Sequence, residues 1–131
     1  MTGIDTNVLV RYLTQDHAAQ ARRANSLLMD LAGRREPCHL SSIVLCELVW
    51  VLRGAYRHGK TEVVAVLEKI LDTAQFSIED KDLVRSALDD FRSGAGDFAD
   101  YLLGHRNKSV GCTKTSTFDR NLTRSELFDV M

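Results

Sequence analysis

The chain has 131 residues, 44% of them hydrophobic and 27% charged, with a formal net charge of −1. That length fits a single domain over residues 1–131 with a sizeable core, and one proline with no low-complexity tract leaves no room for long disordered linkers. The charge balance excludes a broad basic surface, though not an acidic site whose local charge a bound divalent cation reverses.

Taken in order, Gly3-Ile4 reads as a short strand, with Asp5 emerging at its C-terminal end. In open α/β sheets that edge is where ligands bind. Val8 to Leu13 predicts a helix with Thr6 or Asn7 as its N-cap. From His17 to Leu31, alanines and leucines recur at helical spacing, with Arg22, Arg23 and Asp30 between them, and Gly33 ends this amphipathic helix. Pro37 to Ser42 predicts a second strand that runs into paired hydroxyl caps.

Ile43 to Tyr56 reads as a mostly apolar helix, and Thr61-Glu62 opens another with Val63, Val64, Val66, Leu67, Ile70 and Leu71 as its buried stripe. Gln75 to Ile78 alternates like a strand. Asp82 to Phe91 predicts a helix stopped by Ser93-Gly94-Ala95-Gly96, and the next starts near Asp97 and runs to about Arg106. Val110 to Phe118 is expected as a strand, although Gly111 to Thr117 is polar for a central one. Leu127 to Met131 would add an edge strand. Strands alternating with helices, without hairpin turns, predict a parallel sheet covered on both faces.

The cysteines Cys38, Cys46 and Cys112 show no CxxC or zinc spacing, so reduced thiols in a cytoplasmic protein are expected. No signal-peptide pattern opens the chain, and its longest apolar stretch is broken by Glu47 and too short to span a bilayer, so no membrane partner is expected. The histidines His17, His39, His58 and His105 share no spacing and read as isolated side chains.

The acidic residues carry the chemistry. Glu47 is the only charge between Ser42 and Arg53, and a helix this apolar is expected to bury it. An unpaired buried carboxylate is costly, so Glu47 needs a cation, or else an arginine or a place at the helix rim. Asp97 and Asp100 lie three apart and share a helix face. Asp97 also suits an N-cap, and Asp100 then favours the helix dipole. Asp119 repeats the strand–acid–helix layout of Asp5, and capping again accounts for either one alone. As a set, clustered carboxylates repel one another unless a cation joins them, and Mg²⁺ or Mn²⁺ so held activates water and stabilises a phosphodiester transition state.

Four segments together resemble the PIN domain of VapC-type toxins: Gly3-Ile4-Asp5-Thr6-Asn7-Val8-Leu9-Val10-Arg11-Tyr12-Leu13, Ser42 through Leu52 around Glu47, Asp97-Phe98-Ala99-Asp100, and Thr117-Phe118-Asp119-Arg120. The resemblance runs from end to end. It implies a three-layer α/β/α sandwich with a central, mostly parallel sheet and a Mg²⁺- or Mn²⁺-dependent endoribonuclease using one or two ions. It further implies a homodimer and a cognate VapB-type antitoxin. The family's metal and catalytic positions carry over to Asp5, Glu47, Asp100 and Asp119, with Asp97 as a further acid. Asp100 takes the core position because Tyr101-Leu102-Leu103 follows it, as in the family pattern. Asn7 and Thr117 are similar to polar residues that support the ligands from behind. The polar Lys114-Thr115-Ser116 departs from a family that is more apolar there.

RNA would arrive over basic side chains at the rim, with Arg11, Arg53, Arg106 and Arg120 as the candidates. Two other readings compete. A phosphatase using Asp5 as nucleophile needs an acid two residues on, where this chain has Asn7. A non-catalytic interaction module would have no need of all four acids.

Overall fold

A computed structural model describes residues 1–131. By its contacts the chain divides into two compact units, Met1–Glu79 and Asp80–Met131.

The first unit runs β1 (Thr2–Gly3), α1 (Thr6–Thr14), α2 (Ala18–Gly33), β2 (Cys38–Leu40), α3 (Ser42–Gly54), α4 (Lys60–Leu71) and β3 (Phe76–Ile78). Its strands stand in the order β1-β2-β3, and both pairings are parallel, with Thr2 opposite Cys38 and Cys38 opposite Phe76. Parallel neighbours need a long crossover, and each connection here carries two helices. The ladder continues past the strand ends: the Ile4 N–H donates to the His39 carbonyl at 3.3 Å, and the Glu79 N–H to the Leu40 carbonyl at 3.0 Å. Asp5, Ser41 and Glu79 therefore all leave the sheet at its C-terminal edge.

Two expectations are corrected in this unit. The N-cap of α1 is Asp5 itself, not Thr6 or Asn7: its Oδ1 accepts from the Val8 N–H at 3.0 Å. A carboxylate reaches the orphan amides of the first turn as readily as a hydroxyl does, and its charge suits the helix dipole. The second correction concerns α3. Val44, Leu45, Leu48, Val49 and Leu52 are buried, but Ile43 and Trp50 remain 69% and 56% exposed. Glu47 lies exposed between them, at the helical spacing that puts all three on one face. Apolar content made α3 look buried all round. Only the side against its neighbours is buried.

The second unit runs α5 (Lys81–Ser93), α6 (Phe98–Ser109), β4 (Thr115–Thr117), a single 3-10 turn at Arg120–Leu122 and β5 (Phe128–Val130). The two helices pack through Val84, Leu88 and Phe91 against Phe98, Tyr101 and Leu102, with the Phe91 and Phe98 rings edge to face at 6.3 Å. Gly104 lets β5 approach α6, because a Cβ there would meet the Phe128 ring at 2.9 Å. β4 and β5 pair in parallel, with Thr115 opposite Phe128.

The strand expected over Val110 to Phe118 shrinks to Thr115–Thr117. The reason is that α6 continues through Ser109 and is closed by Gly111 at φ 105, whose N–H donates to the Lys108 carbonyl at 3.0 Å. That left-handed stop suits glycine and uses up the residues that a longer strand would need. No helix is long and apolar enough to cross a membrane.

The two faces of α3 respond differently to truncation. Leu48→Ala, at a fully buried position, should cost about 2–5 kcal/mol in chemical denaturation. Ile43→Ala, at an exposed one, should stay within about 0.5 kcal/mol.

Candidate active site

In the first unit the strand-end geometry brings Asp5 and Glu47 to either side of Thr6. Asp5 gives Oδ1 to the α1 cap, which leaves Oδ2 available to another partner. The Thr6 hydroxyl donates to Glu47 Oε1 at 3.1 Å, tying the first turn of α1 to α3. Glu47 is thus an exposed, hydrogen-bonded carboxylate, and the expectation of a buried acid in need of a counter-ion does not hold. Asp5 and Asn7 line a hollow of about 400 Å³ with Val8, Arg11, Gln20, Arg23, Ala24 and Leu27.

A residue passed over in the sequence also sits at this edge. Glu79 Oε1 accepts from the Ser42 N–H at 2.9 Å, while Ser41 Oγ accepts from the Val44 N–H at 3.3 Å, so both satisfy amides at the start of α3. Glu79 follows the strand Phe76-Ser77-Ile78 directly. The strand-then-acid layout that singled out Asp5 and Asp119 was the signal that could have found it.

In the second unit Asp97 caps α6, and its own N–H donates to Asp100 Oδ2 at 3.2 Å. Asp119 caps the 3-10 turn, with Oδ1 accepting from the Asn121 N–H at 2.9 Å. Behind it, Thr117 Oγ1 accepts from the Asp119 N–H at 3.1 Å and fixes the backbone that aims this acid. Asp100 is half-buried, and burial pushes its pKa above the ordinary carboxylate value. The Asp97 amide pulls the other way, while the like charges of Asp97 and Asp119 push it further up. The three carboxylates therefore share one electrostatic neighbourhood.

No group of three or more His, Cys, Asp or Glu side chains closes into a ready-made coordination cluster. The donors are nevertheless of the right kind for a hard divalent cation, since all are carboxylate oxygens and no histidine or thiol is among them. Asp100, burdened by burial and two like charges, is where such a cation would relieve most repulsion.

Of the basic residues expected at the rim, Arg11 is engaged by its neighbours. Its Nε donates to Gln20 Oε1 at 2.7 Å and its Nη1 to the Tyr56 hydroxyl at 3.2 Å, with Asp16 Oδ1 at 3.4 Å. Arg106 pairs with Asp80 at 3.0 Å. Arg53 is exposed near the end of α3, and Arg120 is exposed directly after Asp119.

Folding raises the Asp100 pKa, so the folded chain binds this proton more tightly than the unfolded one. Stability on this account falls as pH rises from the unfolded value near 3.8 through the folded one, and the full penalty applies above it. Asp100→Asn should therefore unfold later than the parent chain at neutral pH. The gain should shrink as pH falls through the carboxylate range, which denaturation at a series of pH values reads directly.

Comparison with known proteins identifies the family. The family model described as "PIN domain" matches residues 4–126. A curated protein described as "VapC ribonuclease", from Aquifex aeolicus (strain VF5), is 25% identical over 121 residues, covering 92% of this chain and 89% of its own length. No solved structure matches. With an α/β fold of parallel strands, acids at the strand ends and a family match over nearly its whole length, the chain belongs to the PIN domain family.

Proposed function

We propose that this chain is a divalent-metal-dependent endoribonuclease, the toxin of a VapBC-type pair, acting in the cytoplasm as one PIN-like domain over residues 1–131. The residues that would hold the metal are those to which the family resemblance points: Asp5, Glu47, Asp100 and Asp119, with Asp97 as a further acid. The observation that carries this reading is the family match over residues 4–126, in a chain whose curated relative is named a ribonuclease. The family match crosses the boundary between the two units without a break, which supports their working as one domain.

The reaction is hydrolysis: water adds to phosphorus and the ester bond to one ribose oxygen breaks, with no covalent bond to the enzyme. When bound, one or two Mg²⁺ or Mn²⁺ ions supply Lewis acidity toward the water and the phosphate oxygens. The protein's own residues prepare for this. The Thr6 hydroxyl orients Glu47, the Asp97 amide holds Asp100 Oδ2, and Thr117 sets the backbone of Asp119. Asn7 supports Asp5 from the same hollow, and Arg120 meets the RNA backbone just beyond Asp119. Partners on this reading are RNA, a VapB-type antitoxin and a second copy of the chain. The exposed Ile43 and Trp50 face of α3 offers the apolar surface that a protein partner covers.

The dual use of Asp5 makes it the sharpest test. Asparagine caps helices about as well as aspartate, so Asp5→Asn should keep the parent's unfolding midpoint, whereas Asp5→Ala should cost about 1 kcal/mol. Both should cut RNA cleavage by roughly 100-fold or more, at least the effect of losing an outer-shell partner of a metal ligand. Wild-type cleavage by Asp5→Asn would remove Asp5 from the site. Sequencing 5′ ends after expression of the parent and of Asp5→Asn would report activity and target together.

Metal binding has a readout apart from catalysis. Mn²⁺ at 100 times its Kd should stabilise the folded chain by about 2.7 kcal/mol. If Mn²⁺ produced neither a thermal shift nor cleavage of any RNA pool, the non-catalytic module would be the better reading.

A further inference from the structure

We propose that a basic cleft within the second unit is a phosphate-binding subsite that holds the backbone of a single-stranded RNA substrate beside the acidic site. The inference rests on the ribonuclease reading and adds to it a place for the strand. The cleft measures about 770 Å³, within the range of small-ligand sites. Its walls come from the end of α5, one face of α6, and the segment from Arg120 to Leu127.

The charge in it is lopsided. Lys108, Arg120 and Arg124 all line the cleft, and no carboxylate within the protein pairs with any of them. Against them stand Glu126 and Asp90, and Asp90 is already committed: its Oδ2 lies 2.6 Å from His105 Nε2. Asp90 thereby fixes the imidazole, so His105 presents an oriented ring to the cleft. Unpaired cations converging on a concave surface with backbone walls are what a phosphate diester needs.

The cleft is also joined to the acidic site by covalent structure. Tyr101, His105 and Lys108 recur at helical spacing along one face of α6, whose first turn carries Asp97 and Asp100. Arg120 and Asn121 follow Asp119 directly. The wall at Gly94 lies tight against Tyr101, because a Cβ at Gly94 would fall 2.0 Å from the Tyr101 hydroxyl oxygen, which also accepts from the Gly96 N–H at 3.1 Å. A strand whose scissile phosphate meets the carboxylates thus has a neighbouring phosphate site a few turns along the same helix.

The test is RNA binding in EDTA, where no cleavage occurs. Lys108→Gln/Arg124→Gln should weaken binding of a short, mixed-sequence single-stranded RNA by about 10-fold or more at low salt. It should also flatten the log Kd against log salt slope by about 1.4, from about 0.7 per lost single-strand contact. The charge-conserving Lys108→Arg/Arg124→Lys should restore both, while Lys69→Gln/Arg85→Gln, which changes net charge equally outside the cleft, should change neither slope nor affinity by as much. Equal effects from both charge-removing pairs, or none from the cleft pair, would overturn the subsite. Inorganic phosphate should displace RNA at constant ionic strength from the parent and not from the cleft variant, and phosphate that bound the parent without displacing RNA would also overturn the subsite, since that assigns the cleft to a free phosphate. Loss of all metal-dependent cleavage with RNA binding intact would count against the ribonuclease reading and leave the subsite standing.

Discussion

Parallel pairing of three short strands is the constraint on which the first unit depends. Because β1, β2 and β3 run the same way, every strand ends at the same edge, and whatever follows a strand is delivered there. Asp5, Ser41 and Glu79 are what follow. Each meets the amides at the start of a helix, since a parallel strand must hand over to a crossover and a crossover here is helical. Polar side chains at this edge are thus required by backbone chemistry before any function is considered.

That requirement explains why helix capping and the proposed metal ligation are not rivals in this chain. Asp5, Asp97 and Asp119 all sit at helix or turn starts, and Asp5 and Asp119 each accept a backbone N–H through one oxygen. A carboxylate has two oxygens, so a cap that holds the group through one oxygen leaves the other for a second partner. The cap therefore acts as a positioning device. Thr6 serves Glu47 in a similar way, and Thr117 serves Asp119 through its backbone. The cost of gathering such groups falls on Asp100, where burial and two like charges resist ionisation. Stability given up at such a carboxylate is what the proposed cation would offset.

Much of the fold was legible in the sequence because its helices obey strong local rules. The periodicity of α2, α4 and α5 and the glycine-rich stop before Asp97 are nearest-neighbour properties, and they appear where expected. α3 was misjudged on burial because composition reports how apolar a helix is and not which of its faces has a neighbour. Ile43 and Trp50 could be placed outside only once the packing of α3 was known. The strand near Thr115 was overextended because Gly111's left-handed turn, which closes α6, is decided by backbone hydrogen bonds to Asn107 and Lys108.

By itself the sequence determined the alternation of strands and helices, the positions of the acids after strands and before helices, and the PIN family to which they point. Those are properties of short windows, where one residue's chemistry acts on its neighbours. Only the tertiary structure decided that Asp5 is its own helix's cap, that Glu47 is exposed and held by Thr6, that Glu79 caps α3, and that His105 and Asp90 face a basic cleft. Apart from the Asp5 cap, which spans only three residues, these pairings join residues well separated in the chain, and closing such loops is repaid only by contacts that the finished fold creates.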